Sequence, residues 1–237
     1  MPDDLLELPT DFSSVLCVVA HPDDMEFGGA GAVAVWTDSG KTVTYVVVTN
    51  GETGIDAMPP HEAGPIRERE QRSSAALVGV KEVEFLKHPD GLICHDLKLR
   101  GDIATMIRRY RPEMVVGYNY RDTSFSGGWN SPDHRNTGRA LLDAVIDAGN
   151  RSLFPDRGER WSDVRYIAMV ASPHATHAVD VTGAVDAAVA SLEAHSAYLA
   201  GLGHDVVDVR TPLTSLFRAT GQRFGGRLSI PFELVVG

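Results

Sequence analysis

The sequence predicts one α/β domain, a single-domain Rossmann-like three-layer fold with a mostly parallel sheet. Three observations carry that expectation. Apolar, β-branched runs recur as VLCVVA (15–20), VTYVVVTN (43–50), VEFL (83–86), EMVVGY (113–118) and YIAMV (166–170), and unbroken runs of this kind suit strands covered on both faces. Helix-length segments lie between them, near 28–39, 64–79, 96–110 and 134–148, and such alternation builds right-handed βαβ units. A chain of 237 residues, 43% hydrophobic, buries one substantial core.

Taken from the amino terminus, the first strand ends abruptly in AHPDDMEFGG (20–29), which crowds one histidine and three carboxylates into six residues. The first helix follows over 28–39. The second strand runs into NGETGIDAMPPHEAGP (50–65), the longest turn-rich stretch of the first half, and long loops in compact domains are often binding elements. REREQR opens the second helix, the short VEFL strand follows, and the EMVVGY strand leads through a Gly-rich loop to SPDHRNTG (131–138) at the start of the 134–148 helix. Residues 183–202, with Val185, Val189, Leu192 and Leu199 near helical spacing and a Gly-rich stop, are expected to form one amphipathic helix. Residues 204–237 mix Pro, Gly and IPFELVV, and are expected to supply an edge strand and wrapping loops rather than a second domain. The whole of 1–237 is expected to be one domain, and no internal repeat or low-complexity tract interrupts it.

A net charge of −10 and a pI near 5.3 oppose nucleic acid and anionic membranes and favour small neutral or cationic partners. Cys17 and Cys94 have neither metal-ligand spacing nor a disulfide framework, which fits a reducing cytoplasm; Cys17 reads as core. The start MPDDLLELP lacks the basic flank and apolar stretch of a signal peptide, and no run approaches the ~20 apolar residues of a membrane span. A cytoplasmic protein is expected, with homo-oligomerisation left open.

In open α/β sheets the active crevice lies beyond the carboxyl ends of the strands, which is where AHPDD falls. His21 and Asp24, three apart around a turn at Pro22, can aim an imidazole and a carboxylate at one point, with Asp23 directed elsewhere. A catalytic zinc usually takes three protein groups and keeps a position for water, so a third ligand must come from afar. His134, at the start of a helix after another strand, is the best donor. The set His21, Asp24 and His134 suits Zn2+ or another divalent first-row metal. The plainer alternative is that Asp23 or Asp24 caps the next helix. Arg67 reads equally as a functional group or as one face of a solvated helix, and Asp90 as a site residue or a turn residue. Asp133 is expected either to serve catalysis by orienting His134 or to cap its helix. Trp129, in GGWN beside the second motif, is expected to wall the substrate pocket. His61, His88, His95 and His204 read as surface groups.

AHPDD after the first strand, VTNGE (48–52), RERE (67–70), LVGV (77–80), PDG (89–91), PDHRNTG (132–138), VDVT (179–182) and EAHSAY (193–198) occur in an order that resembles the PIG-L or LmbE family of metal-dependent deacetylases. The resemblance implies hydrolysis of an N-acetyl group on a small N-acylated, glucosamine-containing substrate. It implies zinc at His21, Asp24 and His134, with Asp23 as general base and Arg67 in contact with substrate. His195, within EAHSAY, reads as a structural hydrogen-bonding group. Many relatives carry a histidine where this chain has Ser131, and that histidine is thought to stabilise the oxyanion or act as acid; Tyr118, Tyr120, His174 and His177 are the candidates to replace it. Two alternatives remain open: an amidase acting on a larger amide, and a noncatalytic nucleotide-binding module using FGGAGAV (27–33) at a helix start.

Overall fold

The computed structural model describes residues 4–202 and 208–236. The unbroken apolar runs are strands that feed two cores at once. In β2 (Ser14–Val19), Leu16 and Val18 enter one core while Val15, Cys17 and Val19 enter the other. β3 (Thr42–Val47) divides in the same way, with Val43, Tyr45 and Val47 on one face and Val46 on the opposite one. This is the period-two geometry of a strand applied to a sheet with no solvent face.

The other strands are β1 (Leu6–Glu7), β4 (Glu82–Phe85), β5 (Met114–Tyr118), β6 (Tyr166–Val170), β7 (His177–Asp180) and β8 (Ser229–Val236). With β2 and β3 they make, among the described residues, one sheet of eight in the order β1-β7-β8-β6-β5-β2-β3-β4. β8 alone runs antiparallel to its neighbours β6 and β7. The expected edge strand in IPFELVV is therefore an interior strand. Ser229, Ile230 and Phe232 are buried within it, and β1, too short to show an apolar pattern, forms the edge instead.

Helices cover both faces. α4 (Leu97–Tyr110) and α5 (Pro132–Gly149) pack on one side, sending Leu99, Ile103, Ile107, Leu141 and Ala144 into its core. α2 (Ala30–Asp38), α3 (Pro60–Leu77), α6 (Val185–Glu193) and α8 (Arg210–Gly221) lie on the other. The first expected helix, 28–39, is α2, and a short helix that was not expected, α1 (Asp24–Gly28), precedes it across Gly29. The expected helix over 183–202 is also broken: a 3-10 turn (Thr182–Ala184), α6, and α7 (Ser196–Gly201) after an interruption at Ala194–His195. Amphipathic spacing survives such a break because the apolar residues keep facing the core. Beyond the expected strand and wrapping loops, the carboxyl-terminal segment also holds α8, whose Leu213 and Phe217 are buried.

Candidate metal and catalytic centre

β2 and β5 flank the point where the chain order reverses. From β2 the chain moves outward through β3 and β4, then returns to β5 on the other side of β2. Loops leaving the two strands diverge there and open a crevice at their carboxyl ends. The crevice is a cavity of about 500 Å³ whose lining includes His21, Asp23, Asp24, Arg67, Asp90, Tyr118, Asp133, His134 and Tyr198.

The two distant loops do converge. Single donor atoms of His21, Asp24 and His134 all lie within 4.8 Å of one another. Asp24 does not cap α1: its Oδ2 accepts the backbone N–H groups of Ala20 and His21 at 3.0 and 2.9 Å, which turns the carboxylate back toward the strand end. Its Oδ1 lies 3.0 Å from His134 Nε2. Asp23 occupies the cap position of α1 but makes no capping hydrogen bond with its side chain, so the plainer reading of AHPDD is not the structure adopted.

The orientation of His134 follows from its neighbour. The amide nitrogen of Asn130 donates to the carbonyls of Asn119 and Arg121, so Oδ1 is the atom facing His134 Nδ1 at 3.1 Å. Nδ1 must then carry hydrogen, so Nε2 meets Asp24 Oδ1 either as a lone pair that shares a cation with the carboxylate or as the N–H of an imidazolium. Either way the contact calls for positive charge beside Asp24. His21 tells the same story: burial opposes charge on its ring, yet hydrogen bonds with Asp133 and Asp24 and the field of Asp90 push its pKa up to about 10. A site that gathers positive charge this strongly, from two imidazoles and a carboxylate, fits a divalent first-row cation.

Asp23 is held differently. Its Oδ2 accepts from Arg67 Nη2 at 2.9 Å, and both side chains are buried. Burial pushes the Asp23 carboxyl up to about 7, with Arg67 opposing and Asp24 reinforcing the rise. Asp24 goes the other way; burial works to raise it, but His134 and His21 hold it well below the usual carboxylate range. Adjacent carboxylates are thus driven apart, the pattern that separates a proton carrier from a ligand.

Arg67 is no part of a solvated face. Its guanidinium also donates to Gly51 O at 3.0 Å and Pro22 O at 2.6 Å and lies over the Tyr198 ring at 4.2 Å. Asp90 is held by the N–H and hydroxyl of Thr53 and stands 3.3 Å from His21 Nε2. Asp133 neither orients His134 nor caps its helix. It accepts the N–H groups of Gly91 and Ile93 and contacts His21 Nε2 at 3.3 Å; the cap of α5 is Ser131, whose Oγ accepts from His134 N. Trp129 is 74% exposed, lies beside the Arg135 guanidinium, and does not line the cavity. Of the four candidates to replace the family histidine, only Tyr118 lines the cavity, its ring centroid 4.4 Å from that of His134. His88, expected at the surface, is buried against Asp102 at 3.0 Å. His61 is exposed, His95 is exposed and paired with Asp143, and His204 lies outside the described residues.

Four contributing residues escaped the sequence reading: Tyr198, Asn130, Glu26 and Gln71. A signal existed for one of them, since Arg67, Glu70, Gln71 and Ser74 fall at helical spacing and all four are buried. A polar stripe at that spacing simply looks like a solvated face until the fold turns it inward. The glycines of FGGAGAV pack rather than cradle: a Cβ at Gly28 would meet Val170 at 2.8 Å, and one at Gly31 would meet Ile230 at 3.1 Å.

A family model described as GlcNAc-PI de-N-acetylase, PIG-L, matches residues 16–145. The chain is 33% identical over 145 residues to a diacetylchitobiose deacetylase of Thermococcus kodakarensis, covering 59% of this chain and 51% of that protein. It is 27% identical over 172 residues to a 1D-myo-inositol 2-acetamido-2-deoxy-alpha-D-glucopyranoside deacetylase 2 of Saccharopolyspora erythraea, covering 62% and 61%. The alignments therefore span between about half and three-fifths of these relatives' lengths. The fold superposes on a solved N,N'-diacetylchitobiose deacetylase from Pyrococcus horikoshii with a TM-score of 0.86 at 24% identity, covering 95% of this chain and 85% of that one.

Proposed function

The chain belongs to the PIG-L family, and from that premise we propose that it is a divalent-metal-dependent hydrolase that removes an N-acetyl group from an N-acetylglucosamine-type or related amino sugar. The observation that carries the proposal is the junction of His21, Asp24 and His134 beside a buried carboxylate, Asp23, on the wall of the same cavity. Zinc is the metal proposed, on the chemistry of a donor set of two imidazoles and one carboxylate. The chemistry a divalent cation supplies at such a set is Lewis acidity, which polarises an amide carbonyl and acidifies water.

The residues supply the rest. Asp23, with a pKa near neutrality, takes a proton from the attacking water at Oδ1, the oxygen opposite the one that accepts from Arg67. The water oxygen bonds to the carbonyl carbon. The C–N bond then breaks, Asp23 returns the proton to the leaving amine, and acetate is the second product. Tyr118, whose pKa is pushed up by burial and by the Asp24 and Asp23 charges, stays protonated and is proposed to donate its hydroxyl hydrogen to the developing oxyanion in place of the family histidine. Asp90 and Asp133 hold the His21 ring from the side opposite Asp24.

The test pairs wild type with Asp23→Asn, assayed for release of primary amine from an N-acetylated amino sugar with added zinc. Wild type is expected to turn over with about one metal per chain. Asp23→Asn should keep the metal and lose roughly 10²- to 10⁴-fold in kcat. Full turnover by Asp23→Asn would overturn the base assignment.

A further inference from the structure

Asp23 is one of five described non-glycine residues with positive φ, at 90°, a conformation that costs a side-chain-bearing residue free energy and is kept only where surroundings enforce it. Part of that enforcement comes from behind the site. The Asp23 N–H donates to Gln71 Oε1 at 2.9 Å, Gln71 Nε2 donates to Glu26 Oε1 at 2.9 Å, and Ser74 Oγ donates to the same Glu26 oxygen at 2.6 Å. Glu26 Oε2 faces His195 Nε2 at 3.6 Å, with both side chains inaccessible to solvent. Only one amide orientation of Gln71 satisfies a donor at one end and a carboxylate at the other, so the direction of the chain of bonds is fixed.

Neither Gln71 nor Glu26 lines the cavity. We propose that Gln71 and Glu26 are positioning residues for the general base: they hold the Asp23 backbone in the left-handed conformation that turns its carboxyl toward the cavity and away from capping α1. Arg67 restrains the carboxyl itself, and the Gln71–Glu26 pair restrains the peptide that carries it. The inference rests on the deacetylase reading for its kinetic consequence but not for its geometry.

The experiment compares wild type, Gln71→Met, Gln71→Glu and the exchanged pair Gln71→Glu/Glu26→Gln. The exchanged pair restores a chain of bonds, because a glutamine at 26 donates to the carboxylate at 71, which still accepts from Asp23 N–H. Two measurements are made: kcat and KM on an N-acetylated amino sugar with zinc, and hydrogen exchange of the Asp23 amide in the metal-free protein. Gln71→Met and Gln71→Glu are expected to lose about 10- to 100-fold in kcat with KM within about twofold and metal content unchanged. Their Asp23 amide should exchange at least about 10-fold faster. The exchanged pair should recover most of both losses, and being near-isosteric it keeps the test available should Gln71→Met fail to fold. Unchanged amide protection in Gln71→Met, faster exchange with unchanged kcat, loss of metal, or no recovery in the exchanged pair would each overturn the proposal. Absence of turnover by wild type on acylated amines would instead sink the deacetylase reading, and amide exchange alone would then decide the positioning role.

Discussion

Replacing Arg67 with Met separates two roles that the residue combines. The guanidinium is buried and serves Gly51 O, Pro22 O and Asp23 Oδ2 together, while its plane lies on Tyr198. Methionine fills much of the volume but leaves two carbonyls without this donor and a buried carboxylate without its counter-charge. Breaking a buried pair from one side costs about 3–5 kcal/mol, a large share of the about 5–15 kcal/mol that stabilises a typical domain. At about 2–4 °C per kcal/mol for a chain of this size, the melting temperature should fall by about 6–20 °C. The assay is thermal unfolding of the metal-free protein, wild type against Arg67→Met, Asp23→Asn and the double variant. Because part of the loss is the buried Asp23 carboxyl left without its partner, adding Asp23→Asn to Arg67→Met should return about 0.5–3 kcal/mol. A residue that only contacts substrate would raise KM and leave the melting temperature alone. Arg67→Met melting within about 2 °C of wild type, or Asp23→Asn deepening its loss, would refute the role of Arg67 as the anchor of the base.

Asn130→Leu removes the acceptor that fixes the His134 tautomer, so metal affinity measured by competition with a chelating dye should fall about 10- to 100-fold; unchanged affinity would show that His134 needs no such partner. Tyr118→Phe keeps the ring beside His134 and deletes the hydroxyl, and kcat should drop by about 10²-fold with metal content intact; a drop confined to KM would count against oxyanion contact. Glu233 supplies a pH dependence away from the candidate metal site. Burial works to raise its pKa, but Arg121 and Ser172 outweigh it and the folded value is lowered. The stabilisation is then complete above the unfolded carboxyl pKa of about 4.3 and disappears as pH falls through the folded value. The melting-temperature gap between wild type and Glu233→Gln should therefore narrow on acidification from neutral pH to about pH 3; a gap that widens would reverse the assigned sign.

Much of the fold and the centre of the candidate site were legible in the chain itself. β2, β3, β5 and β6 announce themselves because strands buried on both faces need apolar side chains at every position, and AHPDD and SPDH stand out because polar groups at the tips of such strands serve no core. The roles of Asp133 and Trp129 were not legible. Asp133 is adjacent to His134 in sequence, yet its carboxylate turns to His21 and the loop at Gly91–Ile93, while Asn130 takes the place beside the His134 ring. Adjacency along a helix start does not fix where a short side chain points.

What the sequence by itself determined is the set of reactive groups and the strand ends that carry them, because apolar periodicity and local turn chemistry are properties of neighbours in the chain. What only the tertiary structure decided is which of those groups face one another: β8 threading between β6 and β7, and the inward turn of Arg67, Glu70, Gln71 and Ser74. The distinction has a physical cause. A buried polar stripe and a solvated one have the same spacing, and only partners brought from distant segments, here Asp23, Glu26 and Ala197, make burial of such a stripe tolerable.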